Sequence, residues 1–176
     1  MNELSLLTAA KKGDQEAFLA LVEPLERHLY QTALGILGNC HDAEDAWQNT
    51  VLNAWRHIRS LRGPHFKTWI TRILLNEAKA ILRQRRRAPI PVPSLPEGTE
   101  TQDRTDSLVL QDYLVSLPEQ QREAILLRFW LDLSLEDIAA LTGVPLSTAK
   151  TRLYQGVAKL KARMKEAEIG ARQIPF

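Results

Sequence analysis

Two sets of side chains in this sequence could do chemistry, and both suit a polyanion better than a reaction. Arg72, Asn76, Lys79 and Arg83 recur at steps of four, three and four, the spacing that brings side chains onto one face of a helix. Their donors can reach phosphate oxygens or base edges, although such a stripe can equally be a solvated basic face. Ser147, Thr151, Tyr154 and Gln155, flanked by Thr148, Lys150 and Arg152, combine short polar groups with cations, as a helix lying in a DNA major groove requires. Groups suited to catalysis are scattered. His28, His41, His57 and His65 form no Cys/His cluster with zinc spacing, and no phosphate-cradling GxxxxGK[ST] occurs. Asp42, Glu44 and Asp45 crowd one helix start, where capping and complementing the helix dipole explain them more simply than a metal site. No catalytic set, metal or cofactor is expected.

The elements that must position these side chains read as helices throughout. Leu4 to Lys12 is a short helix stopped by Gly13, and Asp14 can cap the next by accepting its free first-turn N–H groups. Ala17, Phe18, Leu21, Val22, Leu25, Leu29, Ala33, Ile36 and Leu37 keep helical spacing up to Gly38-Asn39, and Pro24 inside the run predicts a kink or a break. Asp42 opens the following helix as a cap. Ala43, Ala46, Trp47, Thr50, Val51, Ala54, Trp55 and Ile58 form its core stripe. Asp45, Gln48, Leu52 and Arg56 form a second stripe that leaves a leucine among polar groups, either a protein-contact face or a solvated one. After the Gly63-Pro64 turn, a helix from Phe66 to Arg87 buries Trp69, Ile70, Ile73, Leu74, Ala78, Ile81 and Leu82 and carries the basic stripe. The Arg85-Arg86-Arg87 run is generic, favoured by the dipole at a helix C-terminus.

Residues 88–107 break the pattern. Pro89, Pro91, Pro93 and Pro96 precede Glu97, Glu100, Asp103 and Asp106, which predicts a Pro-rich acidic linker. Fully extended at about 3.3–3.6 Å per residue it would reach ~66–72 Å, enough to span about two turns of B-DNA at ~34 Å each. The expected architecture is therefore all-α, with two small helical domains, residues 1–87 and 108–176, joined by the linker. In the second, Pro118 suits a first helical turn, Ile125, Leu126, Phe129 and Trp130 form a core side, and Ser134 can cap a short helix with Asp137 returning the contact. Ala139, Gly143 and the start at Pro145 and Ser147 make a helix-turn-helix pattern, with Ile138, Leu141, Val144, Ala149, Leu153, Val157 and Leu160 inward. Gly156 inside the second helix costs about 1 kcal/mol relative to Ala and either permits a close approach or is simply tolerated.

Composition sets the compartment. The chain has 176 residues, 44% hydrophobic and 25% charged, with a net charge of +2, ordinary for a folded soluble protein. From Lys79 to Arg87, however, five residues are cationic and none acidic, which points to a directed polyanion contact. Cys40 is the only cysteine, so no internal disulfide forms and a reducing compartment fits. The amino terminus lacks a basic region before an apolar run, and no window approaches ~18 uninterrupted apolar residues. A cytoplasmic protein without membrane insertion is expected.

In order along the chain, DAEDAWQNTVLNAW, FKTWITRILLNEAKAILRQRRR and LPEQQREAILLRFWLDLSLEDIAALTGVPLSTAKTRLYQGVAKL resemble the extracytoplasmic function (ECF, group IV) sigma factors of bacterial RNA polymerase, in the sigma-70 family. The resemblance covers nearly the whole chain. It implies that the first domain is sigma region 2 and the second sigma region 4, and that the protein binds core polymerase, through its largest and second-largest subunits, to start transcription at promoter DNA. It assigns Asp45, Gln48, Asn49, Leu52 and Arg56 to the polymerase surface. The loop from Arg59 to Phe66 becomes the specificity loop that captures an unstacked −10 base, with Arg59, Arg62, His65 and Phe66 beside Arg72, Asn76, Lys79 and Arg83 on the −10 strand. Ser147, Thr148, Lys150, Thr151, Arg152, Tyr154, Gln155 and Lys159 face the −35 groove. The linker resembles the segment that threads polymerase channels. An anti-sigma factor, common in the family, is an implied partner. The chain departs from many relatives at Tyr154-Gln155-Gly156-Val157, where they carry an arginine-rich run. Two rivals compete: a helix-turn-helix regulator acting without polymerase, which leaves the Asp45/Leu52 stripe unused, and a nucleic-acid-processing enzyme, which lacks a nucleophile or metal carboxylates.

Overall fold

The computed structural model describes residues 2–87 and 104–172. Among these, every regular element is helical. The chain divides into two compact units, Met1–Pro96 and Glu97–Phe176. That division falls within the stretch read as a linker, of which residues 88–103 lie outside the described ones.

The first unit holds α1 (Glu3–Lys11), α2 (Gln15–Leu37), α3 (Cys40–His57), a single 3-10 turn (Ile58–Ser60) and α4 (Phe66–Arg87). Local chemistry marks each boundary. The Asn2 side chain accepts from the Ser5 amide to start α1, and Gly13, at φ 101°, turns the chain out of it. Asp14 accepts from the Ala17 amide to start α2, as expected. Gly38, at φ 77°, ends α2 in the left-handed conformation that glycine adopts without strain. One expectation needs correcting here, and one of the two alternatives at Pro24 is excluded. The cap of α3 is Asn39, whose side chain accepts from the Asp42 amide, so Asp42 sits one turn inside the helix. Nor does Pro24 break α2. It lies on the exposed side, where water can satisfy the Ala20 carbonyl that loses its amide partner.

The core of this unit follows the apolar stripes read from periodicity in part: Trp47, Val51 and Trp55 of α3 and Trp69, Ile73, Ile81 and Leu82 of α4 are only half-buried at its edges. Phe18, Leu29, Ile70, Leu74 and Leu75 are fully enclosed, with Ala33, Ala43, Ala46, Ala54 and Ala78 where helices approach. Each fully buried Leu, Ile or Phe contributes about 1.5–3 kcal/mol relative to exposure. Three threonines share this interior without leaving a hydroxyl unpaired. Thr32, Thr50 and Thr71 donate to the carbonyls of His28, Ala46 and Lys67 at 2.7, 2.6 and 2.7 Å, one turn back along their own helices.

The second unit holds α5 (Arg104–Val115), α6 (Glu119–Phe129), α7 (Leu135–Thr142) and α8 (Leu146–Arg172). The start of α5 lies four residues before the expected boundary at Leu108. Ser134 caps α7 by accepting from the Asp137 amide, and its own hydroxyl donates to the Asp137 carboxylate at 2.8 Å. The anticipated return contact therefore runs hydroxyl to carboxylate. Gly143, at φ 68°, makes the turn, and Pro145 accepts the first amides of α8. Phe129 departs from expectation. It is 61% exposed, while Leu131 and Leu133 from the following turn are buried. The chain leaves the helix at Phe129, and the two leucines take the core volume that the helical spacing assigned to it.

Gly156 permits a close approach. Ala149, Leu153 and Gly156 lie on one stripe of α8, and a β-carbon at Gly156 would stand 2.9 Å from Ile125 Cδ1 and 3.2 Å from the Gln121 carbonyl oxygen. We expect Gly156→Val to lower stability by about 1–3 kcal/mol through overpacking, read as a fall in the urea midpoint. An unchanged midpoint would mean that α6 and α8 separate freely.

Candidate nucleic-acid and partner interfaces

The packing of α3 and α4 decides which side chains are free. With Ala43, Ala46, Thr50 and Ala54 turned inward, the opposite face of α3 presents Asp45, Gln48, Asn49, Leu52 and Arg56, all exposed. Leu52 is 52% exposed. Asp45 faces His41 one turn earlier at 3.7 Å, a solvent-exposed contact. Beside this face, Glu16, Glu23 and Glu26 of α2 border a shallow groove floored by Leu19, Trp47 and Val51. The flank is acidic and apolar, the opposite of what a phosphate backbone needs.

On α4 the inward set Ile70, Thr71, Leu74, Leu75 and Ala78 leaves Arg72, Asn76 and Arg83 exposed and Lys79 half-buried. Between the two helices the loop is held at both ends. Leu61 is buried, as is Phe66, leaving Arg62, Gly63, Pro64 and His65 exposed at the tip, with Arg59 exposed on the preceding turn. Phe66 therefore cannot serve as a −10 contact. Only 1% exposed, it packs edge-on against Phe18 (6.3 Å, 88°) and beside Trp69 (6.0 Å). Trp55 closes the cluster on Phe18 at 5.2 Å. Phe66 begins α4, so the first helical turn carries it into the core.

Four contacts that sequence reasoning did not assign brace this unit. Asn53 Nδ2 donates to Glu77 Oε1 at 2.8 Å, joining α3 to α4. Lys11 Nζ donates to the Leu61 carbonyl at 2.7 Å. Arg85 donates through Nη1 to the Leu37 carbonyl at 2.8 Å and pairs through Nη2 with Asp42. The end of α4 is thereby tied to the corner between α2 and α3. Burial lowers the Arg85 pKa from its ordinary value, but a guanidinium stays charged. No local signal separates Arg85 from Arg86 and Arg87, because its acceptors lie more than forty residues away. Near the same corner Cys40 is exposed. Burial, followed by the neighbouring Cys40 and Glu44, pushes the Tyr30 phenol above its ordinary value.

In the second unit, α8 presents Ser147, Lys150, Thr151, Tyr154, Gln155 and Lys159 outward, with Thr148 and Arg152 half-buried on the flanks. Tyr154 is 63% exposed at the centre of this face. The Thr151 hydroxyl donates to the Ser147 carbonyl, and Gln155 Oε1 accepts from Gln121 Nε2 at 3.2 Å, which orients its amide from α6. Arg122, largely buried, donates to the Val115 carbonyl and closes the end of α5. Among the described residues, no group of three His, Cys, Asp or Glu side chains is placed to hold a metal ion. None of the described helices is long and apolar enough to cross a membrane.

Comparison with known proteins gives this geometry its class. The family model of sigma-70 region 2 matches residues 21–88, and that of sigma-70, region 4 matches residues 107–160. The chain belongs to the ECF RNA polymerase sigma factors of the sigma-70 family. It is 30% identical to the ECF RNA polymerase sigma factor SigW of Bacillus subtilis (strain 168), over 89% of this chain and 93% of that one. Among solved structures it is similar to the sigma factor RpoE of Bartonella quintana, in complex with the anti-sigma factor NepR. The TM-score is 0.75 at 27% identity, covering 84% of this chain and 96% of that one. It is also similar to CnrH in complex with the cytosolic domain of CnrY, with a TM-score of 0.73 at 25% identity over 92% and 96% of the two chains. The protein is thus an alternative sigma factor that directs transcription initiation.

Arg85→Ala should loosen the α2–α3 corner. We expect a loss of about 1–2 kcal/mol, since a charge-assisted pair and a carbonyl partner go together. Thermal melting measures it, and a wild-type midpoint would mean that water replaces both contacts without loss.

Proposed function

We propose that the two faces of the first unit are the two sides of one junction. The exposed α3 face, Asp45, Gln48, Asn49, Leu52 and Arg56, docks the core polymerase. The exposed loop tip with Arg62 and His65, the neighbouring Arg59, and the α4 stripe Arg72, Asn76, Lys79 and Arg83 take the −10 strand. The observation that carries this reading is the split within one compact body: a leucine-centred face with an acidic flank on α2 and α3, and a cationic, amide-bearing stripe on α4. Opposite charge preferences on adjacent helices favour two different partners held at once.

The α8 face from Ser147 to Lys159 enters the −35 major groove. Hydroxyls, Tyr154 and Gln155 read base edges there, while Lys150, Arg152 and Lys159 hold phosphates. The protein acts in the cytoplasm, where polymerase and chromosome are. Its partners include an anti-sigma factor, a reading supported by the similar sigma factor RpoE, solved in complex with the anti-sigma factor NepR.

Run-off transcription tests the whole reading: core polymerase with this protein must initiate at discrete promoters that core alone does not use. Initiation no different from core alone would leave the helix-turn-helix regulator as the better account. Leu52→Asp is expected to weaken core binding at least tenfold with an unchanged melting temperature; normal affinity of the folded variant removes α3 from the polymerase interface. Lys150→Ala is expected to reduce the salt slope of −35 duplex binding by about 0.9, the value for one lost phosphate contact. An unaltered slope would place Lys150 in solvent.

A further inference from the structure

The exposed loop tip Arg62, Gly63, Pro64 and His65 has two feet in the core. Phe66 is one, enclosed among aromatic rings. The other is Leu61, whose side chain is buried and whose amide donates to the Ile58 carbonyl at 3.2 Å. The Leu61 carbonyl is bound from elsewhere. It accepts from Lys11 Nζ at 2.7 Å, across fifty residues of sequence. Lys11 ends α1, which is itself fixed, with Leu7 and Ala10 buried. Next to it Gly13, at φ 101°, passes close to the Arg59 guanidinium; a β-carbon there would stand 3.9 Å from Nη2. α1 lies outside residues 21–88, the span matched by the region 2 family model.

The bonded carbonyl belongs to the peptide that joins Leu61 to Arg62. A peptide is planar, so holding its oxygen fixes the direction in which the chain leaves for the tip. The ammonium makes this a charge-assisted bond, stronger than one between neutral groups. A pocket that takes an unstacked base must hold its groups to within about half an ångström before the base arrives. Arg62 and His65 are exposed, so backbone anchors at the feet of the tip are what set their starting positions.

We propose that Lys11 is a positioning residue for −10 base capture: by holding the Leu61–Arg62 peptide from α1, it sets the conformation in which the tip receives its base. This rests on the reading of the loop as the base-capturing element. It gives the amino-terminal helix a share in promoter selectivity without contact to DNA.

The test uses the full chain with core polymerase and a promoter selected by run-off transcription from random-sequence duplexes. Its −10 strand is then prepared with each of the four bases at every position. Arg62→Ala and His65→Ala locate the captured position as the one where discrimination between bases falls. Lys11→Met is expected to reduce discrimination there about tenfold, the scale of one charge-assisted hydrogen bond. Core affinity and −35 duplex affinity stay at wild-type values, and Lys11→Arg, which can still donate, retains most of the discrimination. A general loss of stability would lower all three readouts together.

Wild-type discrimination by Lys11→Met, with the tip variants defective, overturns the role of Lys11 and leaves the loop reading intact. Wild-type discrimination by the tip variants overturns the loop reading, and the proposal with it. Should Lys11→Met fold poorly, replacing the Leu61–Arg62 amide by an ester weakens the same acceptor. The same selective loss is then expected, and unchanged discrimination overturns the proposal.

Discussion

Phe66 lies against Phe18 and Trp69, and much else in the first unit depends on that placement. An aromatic ring of this size, once enclosed, fixes the chain on either side of it. Backwards it determines where the loop must end. Forwards it sets the rotation of α4 about its own axis, because Ile70, Leu74 and Ala78 follow on the same side of the helix. That rotation decides which α4 side chains remain outside, and they are the cationic and amide ones. The small residues of α3 complete the constraint: alanines and an internally bonded threonine let neighbouring helices approach, and the large groups of α3 are left to its edges and outer face.

The second unit solves a harder problem with fewer residues. Its core is mainly Leu and Ile from α6 and the turn after it, covered by α7 and α8. So little apolar surface leaves chain ends and turns as a large share of the stability. Hence the Ser134 cap, the left-handed Gly143, and the Arg128 guanidinium that bonds Asp132 and the Leu133 carbonyl across the turn. Asp132 itself takes a positive φ of 47°, a conformation that Asp tolerates better than most residues.

What could be read in the sequence follows from how local each interaction is. Helical periodicity reports which side of a helix faces inward, so that side of α2, α3 and α4 and the two helices of the helix-turn-helix were legible, but not that Trp47, Trp55 and Trp69 stay half-buried. Gly13, Asp14, Gly38 and Gly143 act within a few residues of themselves, and they too were legible. Phe129 failed because it is the last residue of α6, and Leu131 and Leu133 just beyond the helix fill the core in its place. Phe66 failed because a residue at the edge of a loop can belong to either neighbour. Asp42 was assigned to the cap when Asn39, three residues earlier, holds that position and leaves the Asp42 carboxylate for Arg85. Arg85 and Lys11 were invisible in function because each bonds a distant backbone carbonyl, which is present at every residue, and the Asp42 carboxylate that Arg85 also meets lies more than forty residues away.

Gly156 carries a consequence for how α8 presents its outer face. A helix packed through ordinary side chains can roll or slide by small steps while its neighbours adjust. With Ile125 and the Gln121 backbone occupying the space of a missing β-carbon, α8 meets α6 through a notch, and only one residue of this stretch fits it. Turning α8 by one residue, about 100°, would drive Gln155 or Val157 into that notch. The helix is therefore indexed against its support, much as a keyed shaft is. The angle at which Tyr154 and Thr151 face outward is set by an absent atom on the opposite side of the helix.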